Sequence, residues 1–148
     1  MTLRIARRRA ERFHREDGTV TAFVVIFTAV LVLFAGLVID GGLTLAAHVE
    51  AINEAQEAAR AGAQAIDLAA YRASGELTLN AEQARQAAFA YLASTGHDGT
   101  VQIRGDEVDV SVRITQPMQI LGIGGLANLA VTGYGAARPE HGVETAAP

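Results

Sequence analysis

The four histidines are the first residues to consider as metal ligands or as general acids and bases. None of His14, His48, His97 and His141 has a second ligand at the spacing of a zinc site, and the sequence contains no HExxH pattern. The chain also has no cysteine, which excludes disulfides, thiolate metal sites and cysteine nucleophiles. The sequence therefore predicts no metal site.

Acidic side chains cluster beside a predicted hairpin turn. Asp106, Glu107 and Asp109 form this cluster, and paired carboxylates can serve as general acid and base. Turns are ordinarily acidic and solvated, however, so their position favours a surface role over catalysis.

A glycine-rich stretch from Gly122 to Ala127 formally matches the GxGxxA pattern of dinucleotide-binding loops. Pro117 separates it from the preceding strand, and no long βαβ unit follows, so an apolar loop is the better interpretation. The sequence also lacks a GxSxG nucleophile elbow. We expect no catalytic residues, no cofactor and no enzymatic activity.

A basic head precedes a long apolar run at the N-terminus. The run from Val20 to Ile39 has twenty residues and no charge, and a helix of that length spans roughly 30 Å, the hydrocarbon thickness of a bilayer. Because positive residues remain in the cytoplasm, we predict a single-pass protein of the cell membrane with a cytoplasmic N-terminus and an extracytoplasmic C-terminal domain. The six arginines that give this topology signal are Arg4, Arg7, Arg8, Arg9, Arg12 and Arg15.

Three alternatives exist for this N-terminal segment, and one of them, a buried helix of a soluble protein, is disfavoured because a chain of 148 residues could hardly surround it. The arginines could form a nucleic-acid-binding arm, but the apolar run follows them so closely that we expect no nucleic acid partner. A cleaved secretory signal usually has an apolar core of about 7–15 residues and a small-x-small cleavage site. This run is longer, and Leu45-Ala46-Ala47 offers only a poor site. A retained anchor in the lipid bilayer is therefore favoured.

The residues that follow the run have an alanine-rich helical pattern. We divide the chain into a basic cytoplasmic head (1–18), a transmembrane helix (19–40), a stem helix (41–71), a second helix with a small sheet (72–139) and a disordered tail (140–148). Gly41 and Gly42 are candidates for a kink between span and stem. Small side chains on the stem would let another helix approach closely. The predicted helix-packing face is Leu45, Val49, Ile52, Ala59, Ala63, Ile66 and Ala70.

The residue pattern after the stem predicts one helix and an antiparallel sheet. Asn80 resembles an N-cap, with Gln83 at the third helical position, and the helix should reach about Ser94. Strands are expected at 100–104, 108–114 and 129–138, with a short helix or loop at 118–129. The second strand alternates strictly, so its apolar face must be covered, and the stem helix is the nearest cover. The predicted fold class is α+β: a transmembrane helix that continues into an alanine-rich helix, then a second helix and a small antiparallel sheet.

The order of these motifs resembles the TadE/TadG-like proteins of the tight-adherence (Flp-type) pilus machinery. The resemblance rests on Asp17-Gly18, the apolar run, Val38-Ile39-Asp40-Gly41-Gly42 and the alanine-rich helix. It continues in the valine-alternating strand, the glycine-rich stretch and the small-residue sequence from Val131 to Pro139.

The resemblance implies a minor pilin or pseudopilin that packs with other pilus-assembly or pilin subunits. Some members are cut by a prepilin peptidase after a glycine that precedes the apolar segment; here Gly18 would be that glycine and Thr19 the new N-terminus. The family usually has glutamate at the fifth mature position, whereas this sequence has Phe23. The alternative function is an envelope adaptor or sensor subunit outside any pilus, with an extracytoplasmic binding domain.

Overall fold

A computed structural model describes the backbone of residues 3–140 and the side chains of residues 19–140. The six arginines of the topology signal, Gly18 and residues 141–148 lie outside the part with described side chains. The predicted disordered tail therefore also falls almost wholly outside it.

One long helix forms the axis of the molecule. Helix α1 runs from Leu3 to Ala63 and continues through Gly41 and Gly42, where a kink was a candidate. It contains no proline, so nothing removes a backbone hydrogen bond along its length. The part from Thr19 to Ala63 has 45 residues, about 68 Å at 1.5 Å per residue.

The stem ends earlier than the predicted boundary at residue 71. α1 stops at Ala63, and Ile66 instead forms an isolated antiparallel bridge with Leu79. A separate short helix, α2 (Leu68–Ser74), begins because the Asp67 carboxylate accepts hydrogen bonds from the N–H groups of Ala69 and Ala70 at 2.9 and 3.0 Å. The element predicted as a continuous stem is thus two helices joined by a bend.

Helix α3 (Ala81–Thr95) lies beside the stem. Its N-cap is Asn80, whose side-chain oxygen accepts from the N–H of Gln83 at 3.1 Å, as the sequence predicted. Its buried residues are Ala84, Ala88 and Leu92.

A three-stranded antiparallel sheet packs against the stem and against α3. Its strands, β1 (Asp98–Arg104), β2 (Glu107–Pro117) and β3 (Asn128–Ala137), lie in the order β1-β2-β3. Gly105 has a φ of 61° in the β1–β2 turn, a conformation that glycine adopts without steric cost. A short 3₁₀ helix (Leu121–Gly124) lies in the β2–β3 connection.

The core is thin and consists mainly of small residues. The predicted apolar face of β2 is buried throughout: Val108, Val110, Val112 and Ile114 are at most 6% exposed. α1 contributes only alanines to the same core, namely Ala47, Ala51, Ala55, Ala58, Ala59 and Ala63. The predicted α+β class, with a long apolar helix and a small antiparallel sheet, is confirmed.

Strand β3 packs directly on the backbone of α1. A Cβ on Gly133 would collide with the backbone of Ala51 and Ile52, and a Cβ on Gly135 would lie 2.6 Å from the carbonyl oxygen of Ala55. Contacts this short are not tolerated, so only glycine permits this approach of strand to helix. The stem and sheet therefore form one tightly fixed head.

Candidate functional site

Helix α1 is apolar and largely exposed from Val20 to Ile39. It is the one helix in the described part of the chain with the length and composition to cross a membrane, and only 6% of its apolar window is buried by the rest of the protein. Side chains such as Phe23, Leu33 and Val38 are more than half exposed. Such a surface suits lipid or other transmembrane helices as its surroundings.

Asp40 marks the junction between this span and the head. Its side chain is only 1% exposed. The carboxylate accepts hydrogen bonds from three consecutive backbone N–H groups, those of Gln119 at 2.8 Å, Ile120 at 3.0 Å and Leu121 at 2.7 Å. One acidic side chain thus fixes the β2–β3 connection, 118–127, against the end of the apolar run.

The structure separates the seven residues of the predicted helix-packing face. Ala59 and Ala63 are 0% and 7% exposed and belong to the core of the head, while Ile52 is half-buried. Leu45 and Val49 are instead 63% and 49% exposed. Ile66 and Ala70 lie beyond the end of α1. Ala59 and Ala63 therefore contact the protein's own elements, and the surface open to a partner lies further towards the span.

An exposed apolar stripe connects the span with the stem. Phe34, Val38, Leu45 and Val49 are all large, exposed and spaced by four or seven residues. That spacing places them on one side of a helix. On the stem, Leu45 and Val49 line an open groove that also includes Tyr91 of α3. We call these four residues the stem stripe.

A second polar contact brings together residues that are distant in sequence. His97 Nδ1 lies 3.0 Å from both carboxylate oxygens of Glu54, so the turn after α3 is tied to the stem. The ligand atoms of Glu50, Glu54 and His97 lie within 4.8 Å of one another. This trio contains the residues of the described chain that could hold a metal ion, and the scattered positions of the histidines in the sequence gave no sign of it.

The carboxylates of the β1–β2 hairpin make structural contacts. Asp106 accepts from the N–H of Leu79 at 3.1 Å, Asp109 lies 3.4 Å from Arg104, and Glu107 pairs with Arg138 at 2.8 Å. The hydrogen bond from Arg138, aided by its charge and that of Arg104, lowers the pKa of Glu107 below its ordinary value, although burial opposes the shift. These contacts join the hairpin to the segment before α3 and to the end of β3.

These features define a candidate single-pass membrane protein, in which one helix serves first as span and then as the stem of an α+β head. Residues 18–65 match the family model described as "Putative Flp pilus-assembly TadE/G-like". The match confirms the resemblance to the TadE/TadG-like family over the span and stem. Searches of curated proteins and of solved structures found no match. The family match supports a role associated with pilus assembly.

Proposed function

We propose that this protein is a membrane-anchored, minor-pilin-like (pseudopilin-like) subunit of tight-adherence pilus assembly that acts by packing against other subunits and not by catalysis. The observation that carries the proposal is the position of the family match. Residues 18–65 include both the apolar run and the stem, and they carry the whole stem stripe. The segment that resembles the family is therefore the segment with the open helical surface.

The stem stripe is the surface for a partner helix. The sheet and α3 cover other sides of the stem, whereas Leu45 and Val49 remain exposed directly above the span. A helix that packed on Phe34 and Val38 within the membrane could continue along Leu45 and Val49 without changing sides. The transmembrane and stem helix of another pilus-assembly subunit has that shape, and burial of the apolar stripe would stabilise the contact.

The remaining parts of the proposal concern orientation and processing. We place the N-terminus in the cytoplasm and the head outside it, because the arginines precede the span. A prepilin peptidase that cuts after Gly18 would remove the basic head and leave Thr19 first. Mass spectrometry of the native protein tests the cleavage: an intact N-terminus would favour a permanently anchored assembly factor, and a chain that starts at Thr19 would favour a subunit that enters a filament.

A second candidate is an envelope adaptor or sensor subunit whose head binds another envelope protein. The family match ends at residue 65 and leaves α3 and the sheet uncovered. The outer face of the sheet also carries an open groove beside the exposed ring of Tyr134. A binding function of the head would not require a pilus.

Gene deletion with complementation separates the two functions. Loss of pili or of pilin secretion on deletion, restored by the full-length gene, supports the assembly subunit. Unchanged piliation, adhesion and pilin secretion on deletion would contradict it and leave the adaptor as the better account. A complementing chain whose apolar run is replaced by an unrelated transmembrane helix that keeps glycine at position 36 serves as a matched control, because it keeps the anchor and the close approach of Ile120 but removes Phe34 and Val38.

A further inference from the structure

The β2–β3 connection, residues 118–127, lies at the end of the head that faces the span. Along β3, Gly135 packs near Gln56 and Gly133 near Ala51, so the strand approaches the span towards its first residue, Asn128. Asn128 pairs with Pro117, the last residue of β2. We call this connection the β2–β3 loop.

The loop reaches past the end of the apolar run. Gly36 is buried, and a Cβ built on it would lie 2.7 Å from Cγ2 of Ile120 and 3.7 Å from Cδ2 of Leu121. Gly36 is three residues before the last residue of the run, Ile39, which corresponds to about 4–5 Å of helix rise. Ile120 therefore lies beside the apolar run itself, the segment that is the candidate membrane span.

The two large apolar side chains at the tip of the loop are exposed, whereas its exposed polar side chain, Gln119, lies at its start. Ile123 is 89% exposed and Leu126 is 64% exposed. The sequence has no charged residue from Ile114 to Ala137. Large side chains with this exposure are unfavourable in water, and a cluster of them marks an interaction surface.

Several backbone N–H groups of the loop donate to acceptors within the protein, as groups in a medium of low polarity must. The Asp40 carboxylate accepts from the N–H groups of residues 119–121. Within the loop, three further backbone N–H groups donate to backbone carbonyl oxygens. The pairs are Ile123 to Ile120 at 3.1 Å, Gly125 to Gly122 at 3.1 Å and Leu126 to Leu121 at 3.2 Å. A backbone N–H that enters lipid needs such an internal partner, because no water is present to bind it.

We propose that the β2–β3 loop is a second membrane contact, in which Ile123 and Leu126 insert into the lipid interface on the side of the membrane that carries the head. Two contacts, the span and the loop, would fix the rotation of α1 about its own axis. The stem stripe would then face a defined direction in the plane of the membrane. This inference depends on the membrane span but not on the pilus role.

Tryptophan fluorescence tests the insertion, because the chain contains no tryptophan of its own. The variants Ile123→Trp and Leu126→Trp each introduce a single reporter, and the full-length protein is reconstituted in phosphatidylethanolamine–phosphatidylglycerol vesicles. The control is Tyr71→Trp, at a 43%-exposed position on α2, beyond the end of the stem. We expect loss of emission with brominated lipids and protection from aqueous iodide at positions 123 and 126, and the reverse at position 71.

Two results would overturn the proposal. Iodide access and absence of lipid quenching at positions 123 and 126, equal to position 71, would show that the loop lies in water. Protection from iodide that disappears when the protein is diluted with excess lipid would show that a second copy covers the loop instead. Quenching that is independent of the protein-to-lipid ratio supports the lipid contact. None of these outcomes depends on piliation, so a failure here is distinct from a failure of the proposed function.

Discussion

The Asp40 carboxylate lies 2.7 Å from the backbone nitrogen of Leu121, although the two residues are 81 positions apart in the sequence. This hydrogen bond joins the end of the apolar run to the β2–β3 loop. The same carboxylate accepts two further hydrogen bonds, from the N–H of Ile120 at the same oxygen and from the N–H of Gln119 at the other oxygen. The boundary between span and head is therefore a fixed junction of two distant segments.

The first prediction is that Asp40→Ala releases the β2–β3 loop. The variant removes the acceptor of three N–H groups, so hydrogen exchange of Gln119, Ile120 and Leu121 should accelerate in the detergent-solubilised protein. Asp40→Asn keeps one acceptor oxygen and should give an intermediate effect. Asp98→Ala, at an exposed position on β1, serves as the control. Unchanged exchange in Asp40→Ala would show that the carboxylate does not hold the loop.

The second prediction is that Gly133→Ala destabilises the head by about 1–3 kcal/mol, the usual range for overpacking. The added Cβ would overlap the backbone of Ala51, so β3 must move away from α1. Gly41→Ala is the matched control, because nothing lies within 4 Å of the Cβ that it adds. That control should stabilise helix α1 by about 0.5–1 kcal/mol. Equal unfolding free energies for the two variants would contradict the close packing.

The third prediction concerns orientation. A reporter that is active only outside the cytoplasm should be active when it is fused after Arg138 and silent when it is fused at Arg15. The physical reason is that arginines near one end of a span keep that end in the cytoplasm. Activity at Arg15 and silence at Arg138 would reverse the assigned topology.

The fourth prediction uses the Glu107–Arg138 pair. The pKa of Glu107 is lowered in the folded protein, mainly by the hydrogen bond from Arg138. The pair therefore stabilises the fold above the ordinary glutamate range, and this contribution is lost as the pH falls through the lowered pKa. Arg138→Gln should raise the pKa of Glu107, measured by NMR titration of its side-chain carboxyl carbon. Arg113→Gln, at an exposed position on β2, should leave it unchanged.

Local patterns predicted several elements of the fold. The N-cap of α3 could be predicted because the cap, Asn80, bonds to a residue only three positions later. The buried face of β2 could be predicted because alternation alone defines a strand face. Its members are Val108, Val110, Val112 and Ile114. The order of the apolar run and stem likewise depends on neighbouring residues, and the family match covers that part of the chain.

The packing of the stem could not be predicted in the same way. The predicted face included Ala59 and Ala63, which are buried, but in the first part of the stem it took Leu45, Val49 and Ile52. The buried positions there are Ala47, Ala51 and Ala55. Both sets have helical spacing, and alanines are too numerous along the stem for their periodicity to select a side. Their burial depends on the missing Cβ atoms of Gly133 and Gly135, about eighty residues later.

The polar contacts of Glu54 and Asp40 could not be predicted either, because their partners are distant in the sequence. Glu54 and His97 are 43 positions apart, and Asp40 is 79 to 81 positions from its three donors. No spacing rule connects residues at such distances. The sequence shows Asp40 as the charge directly after the apolar run, but its partners are backbone groups, which carry no signature in the sequence.

The central claim, that the stem stripe packs against another pilus subunit, is tested by the double variant Leu45→Glu with Val49→Glu. Both positions are exposed, so the head should fold, whereas charge in a buried helix contact is strongly unfavourable. The control, Gln64→Glu with Gln83→Glu, adds the same charge to a different exposed surface. Ala59→Glu does not serve this purpose, because Ala59 is completely buried in the protein's own core.

The decisive measurement is co-purification of other pilus components with each variant from the membrane fraction, together with a count of pili. We expect the stem-stripe variant to reach the membrane at the normal level, to lose its pilus partners and to reduce piliation, while the control retains all three properties. Normal co-purification and normal piliation in the stem-stripe variant would contradict the claim.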